Sequence, residues 1–60
     1  MNIEEIKKNK PDGANCYHIE EYFQVDYWKL ENNKFYLWDG EAWSLYPYQD
    51  HKSLSFIKPL

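Results

Sequence analysis

The chain has 60 residues, 20% of them aromatic, and a formal net charge of −3 from seven lysines, no arginine and ten acids. One domain of this size buries only about 60% of the surface its unfolded form exposes, which leaves little room for a catalytic cleft, so neither an enzyme nor a cofactor is expected. A lone cysteine, Cys16, excludes an internal disulfide framework, the missing arginine argues against a nucleic-acid reader, and no run reaches the ~20 apolar residues of a membrane span or resembles an export signal, so the expected setting is cytoplasmic.

Residues 1–15 read as an N-terminal arm. Asn2 with Glu5 three positions later forms the outline of a capping box, and Ile3 and Ile6 share one side of a short helix over 2–8. Pro11, Asp12 and Gly13 then turn the chain, because they supply a fixed φ, a local acceptor and a left-handed position. From Cys16 to Tyr48 the composition is that of strands, and we expect a mainly β fold: an antiparallel meander of three to four strands with a short N-terminal helix or arm. Residues 49–60 form a tail in which Leu54 and Phe56 alternate with Ser53 and Ser55. That pattern suits a fourth strand, stopped by Lys58-Pro59.

Two dipeptides set a register. Asn32-Asn33 and Asp39-Gly40 both tolerate φ > 0, as two-residue hairpin turns require, which implies strands near 22–31, 34–38 and 41–46. Glu31 then faces Lys34 and Trp28 faces Leu37 across the first turn, while Trp38 faces Glu41 and Tyr36 faces Trp43 across the second. Alternation sorts the side chains. Face one carries Trp28, Leu30, Phe35, Leu37, Ala42 and Ser44, the expected core, with the arm packed on it. Face two carries Tyr27, Lys29, Glu31, Lys34, Tyr36, Trp38, Glu41, Trp43 and Leu45. Both sides are strongly apolar, whereas an antiparallel sheet usually keeps one side wet.

Few residues suggest chemistry. Cys16 and His18, with Asp50 and His51, are zinc-type ligands, but their spacing follows no recurrent zinc pattern, so no metal is expected. Cys16 with His18 is also the one local nucleophile–base pair, and it has no third group to orient it. The acids are interrupted by lysines, unlike the dense charge row of a nucleic-acid mimic. What remains is the aromatic face. Tyr27, Lys29, Tyr36, Trp38 and Trp43 are the candidate partner-binding residues, because Tyr and Trp give large contact area at low entropic cost. Four readings stay open for that face: a protein partner, an internal core, a homodimer and a carbohydrate.

Pro11-Asp12-Gly13-Ala14, the following Tyr17-His18 and the hairpin Trp38-Asp39-Gly40 with Trp43 resemble, over residues 11–46, small uncharacterised tailed-bacteriophage proteins that carry a Pro-Asp/Glu-Gly-Ala-Thr-His-Tyr opening and a Trp/Tyr-rich hairpin. Asn15 and Cys16 depart from that opening, which has Thr and His there. The resemblance implies a phage protein in an infected bacterial cell and no reaction; small proteins of this kind often bind and inhibit or redirect a host or defence enzyme. Residues 28–36 are also similar to one choline-binding repeat, whose fold needs several copies, and this implies a cell-wall-binding alternative. A WW-type proline reader is set aside because Trp28 and Trp43 stand too close together.

Overall fold

The computed structural model describes residues 2–60 and has at its centre one antiparallel sheet of five strands in the order β4-β3-β2-β1-β5. These strands are β1 (Cys16–Ile19), β2 (Val25–Glu31), β3 (Lys34–Trp38), β4 (Trp43–Leu45) and β5 (Lys58–Pro59), preceded by helix α1 (Ile3–Lys8). The Asn2 side chain caps α1 by accepting from Glu5 N at 2.9 Å, and Pro11 O accepts from Ala14 N at 3.2 Å to close the turn that follows. Gly13, at φ 94°, takes the left-handed position that this turn demands.

The first hairpin has the expected register, with Trp28 opposite Leu37 and Glu31 opposite Lys34. Asn32 and Asn33 sit at φ 53° and 63°, the left-handed pair of a two-residue turn. The second hairpin is two residues longer than expected. Trp38 pairs with Trp43, Leu37 with Ser44 and Tyr36 with Leu45, so residues 39–42 form the loop. Its cause is the Asp39 carboxylate, which accepts from Glu41 N and Ala42 N, both at 2.8 Å, and gives the longer loop its own hydrogen bonds. A slip of two keeps the paired residues on their expected faces, while Glu41 and Ala42, expected in the strand, lie in the loop.

The ends cover the sheet differently from the expectation. The arm packs on face two, not face one: Tyr27 donates its hydroxyl to Ile6 O at 2.8 Å, and Ile6 is only 3% exposed. Face one is closed by the tail, which is a series of turns rather than a strand through Leu54 and Phe56. Asp50 organises those turns, with its side chain accepting from Lys52 N and Ser53 Oγ and its carbonyl from Leu54 N. Lys58-Pro59, expected to stop a strand, is instead β5, an edge position where proline's missing N–H costs nothing.

Face one therefore holds the core: Cys16, Trp28, Phe35 and Leu54 are buried together, with Leu37, Tyr46 and Ile57 against them. The Trp28 ring meets Tyr46 at 5.0 Å, Phe35 at 6.2 Å and Phe56 at 6.4 Å, all edge to face. Two side-chain amides extend the ladders. Asn15 Oδ1 accepts from Leu30 N and its Nδ2 donates to Leu30 O, while Gln49 Oε1 accepts from Phe35 N and its Nε2 donates to Phe35 O. Each amide takes the place of a strand residue where the backbone ladder runs out.

Candidate partner-binding face

Face two is organised around Lys29. Its Nζ lies 5.0 Å from the ring centres of both Tyr36 and Trp43 and 3.6 Å from Glu31 Oε2. Tyr36 reaches this position because it is the cross-strand partner of Lys29, and Trp43 arrives from β4. Trp43 is further fixed by the arm: its Nε1 donates to Asp12 O at 3.0 Å, and a Cβ on Gly13 would stand 3.4 Å from the same nitrogen. Trp38 lies directly opposite Trp43 with ring centres 5.2 Å apart. Such aromatic pairs across strands are worth roughly 0.5–1.5 kcal/mol beyond their area.

Of the five candidate residues, Lys29, Tyr36, Trp38 and Trp43 come together, all half-buried. Tyr27 does not join them; it holds α1, and burial pushes its hydroxyl pKa up. The face is thus neither fully open nor closed. Leu45, beside Tyr36 on the outer strand, is 52% exposed and completes an apolar stripe that the arm leaves open.

The zinc-type residues do not converge, and among the described residues no three His, Cys, Asp or Glu side chains are placed to share an ion. Cys16 is in the core, where burial pushes its thiol pKa up and makes it a poor nucleophile. His18 packs against Phe56 at 4.6 Å; His51 packs on Phe35 at 4.8 Å with Nε2 at 2.9 Å from Asn33 O. Asp26, the cross-strand partner of His18, is shifted upward: burial, then a hydrogen bond and the negative charge of Glu20, push its carboxyl up to about 6, with His18 pulling the other way. A cleft of about 180 Å³ lies between α1 and β2, lined by Glu5, Ile6, Asn9, Val25 and Tyr27, and it is too small for a drug-sized ligand.

Two exposed aromatics escape a reading of the pattern. Tyr22 and Phe23, expected inside a strand, form the tip of the β1–β2 hairpin at 90% and 74% exposure. The available signal was polar punctuation: Glu20-Glu21 before them and Gln24 after. No family model matches this chain, and no curated protein or solved structure matches it.

Proposed function

We propose that the protein is a non-enzymatic protein-binding module, phage-encoded, that inhibits or redirects a bacterial host or defence protein through the stripe Tyr36, Trp38, Trp43 and Leu45. The observation that supports it most is the partial cover of face two. The arm clamps Trp43 and stops there, which leaves an aromatic edge next to a 52% exposed leucine. Contiguous exposed apolar surface of that kind marks interaction sites. The phage resemblance over residues 11–46 supports the choice of partner.

The choline-binding alternative is weakened by Lys29. A quaternary ammonium needs open aromatic faces, and the Lys29 cation already stands over both Tyr36 and Trp43.

The test is Trp38→Ala. Trp38 takes no part in the buried cluster of face one, so its truncation should cut capture of a bacterial partner by tenfold or more while the thermal melt falls by only a few degrees. Undiminished capture, or a collapsed melt, contradicts the reading.

A further inference from the structure

We propose that the β1–β2 hairpin tip, Tyr22-Phe23, is a second anchor that inserts into an apolar pocket of a protein partner, a pocket rimmed by lysine or arginine. The proposal rests on the protein-binding reading above and adds a second site with a stated partner chemistry.

Three observations carry it. Tyr22 and Phe23 are the most exposed large apolar side chains among the described residues, so the fold itself gains little from their aromatic surface. Their backbones stand at φ 64° and 61°, the left-handed region that Asn and Gly occupy easily and aromatic residues do not. Hydrogen bonds from Phe23 N to Glu20 O at 3.1 Å and from Glu20 N to Gln24 O at 2.7 Å lock that shape. Two strained aromatics are thus displayed at a tip where Asn-Gly would relieve the backbone.

Charge selects the partner. Glu20 and Glu21 flank the aromatics, and the antiparallel topology brings the 39–42 loop, with Asp39 and Glu41, to the same end of the sheet. Neither loop contains a lysine. An apolar anchor flanked by Glu20 and Glu21 fits a pocket with a cationic rim and is repelled by an anionic bilayer. Large, rigid Tyr and Phe side chains bring contact area at small entropic cost, as anchors of this kind require.

The experiment uses the full chain carrying a photo-crosslinker, Phe23→p-benzoylphenylalanine or Trp38→p-benzoylphenylalanine, irradiated in bacterial lysate. Crosslinked peptides are then sequenced. The expected result from position 23 is one protein, joined at an apolar segment with Lys or Arg close by, and a yield that falls about tenfold when Glu20→Lys and Glu21→Lys are added. Crosslinking from Trp38 but not from Phe23 overturns the tip anchor and leaves the face-two reading standing; crosslinking from neither overturns both. A joined segment without basic residues, or transfer of the protein to phosphatidylcholine–phosphatidylglycerol vesicles, also overturns the proposal. A partner-free measurement accompanies it: Tyr22→Asn with Phe23→Gly should raise Tm by about 5 °C or more, since the left-handed strain is relieved. An unchanged or lower Tm means the aromatics serve the fold, and the anchor is rejected.

Discussion

Both faces of the sheet carry aromatic side chains, Trp28 and Phe35 on face one and Tyr27, Tyr36, Trp38 and Trp43 on face two, and they are finished in different ways. On face one, Trp28 and Phe35 meet a hydrophobic lid, Leu54, Ile57 and Tyr46, and become the dry centre of the molecule. On face two, Trp43 and Tyr36 meet a cation and a backbone carbonyl, Lys29 Nζ and Asp12 O, and stay half-exposed. Alternation along a strand decides only which side chains share a face; the covering segment decides whether that face becomes core or surface. An apolar lid buries one side, and a polar clamp leaves the other half-exposed.

Among the covering segments, the largest effect should come from opening the lid. Leu54 is 4% exposed and touches the core cluster, so Leu54→Ala should cost about 2–5 kcal/mol, enough to leave a domain of this size largely unfolded in a urea titration. A cost below about 1 kcal/mol would mean that face one closes without its tail. Next comes the amide that completes the ladder. Gln49→Ala strips Phe35 N of its partner at a half-buried position and leaves Phe35 O with only the bond from Tyr46 N, with an expected loss of roughly 1–3 kcal/mol and faster hydrogen exchange at the Phe35 amide. Unchanged exchange there would remove Gln49 from the sheet.

The smallest effect is one of pH. Asp26, at the base of the tip, has a folded pKa of about 6 against 3.8 for the free group. The unfolded chain therefore loses this proton first as pH rises, and the contribution of Asp26 to stability, full below about 3.8, declines as pH climbs through about 6. Asp39, held low by backbone hydrogen bonds, and Asp50, held low first by the Ser53 hydroxyl and then by backbone hydrogen bonds, act with the opposite sign and only at the acid end, where their contribution fades as pH falls below the usual carboxylate range. Asp26→Asn should flatten the change in urea midpoint between about pH 4.5 and pH 6.5 and raise the midpoint at the higher value. A variant with the slope of the parent would place the titration elsewhere.

How much of this was legible beforehand differs from residue to residue. Asn32-Asn33 specifies its hairpin because few residue pairs tolerate two left-handed positions, and the register of β2 on β3 follows from it. Asp39-Gly40 looks similar, but the reach of the Asp39 carboxylate to two amides makes a longer loop equally self-sufficient, a choice that depends on the Trp38–Trp43 pairing beyond it. The Ser-Leu-Ser-Phe alternation fits a strand as well as it fits the Asp50 turns that form. Which end covers which face hung on single long-range contacts, Tyr27 with Ile6 and Trp43 with Asp12, that no local pattern encodes. Tyr22 and Phe23 read as strand formers, since aromatic residues are rarely found in left-handed turns. Within the candidate face, Lys29, Tyr36, Trp38 and Trp43 were legible because the two-residue slip preserved parity; the part that Tyr27 plays under α1 was not.

The division of labour between the faces is tested most directly by truncating one tryptophan on each and measuring the free energy of unfolding in urea. Trp28→Ala should lose about 3–5 kcal/mol and leave little folded protein, whereas Trp38→Ala should lose no more than about 1.5 kcal/mol. Equal losses, or a larger loss at Trp38, would make the two faces one continuous core and contradict the account.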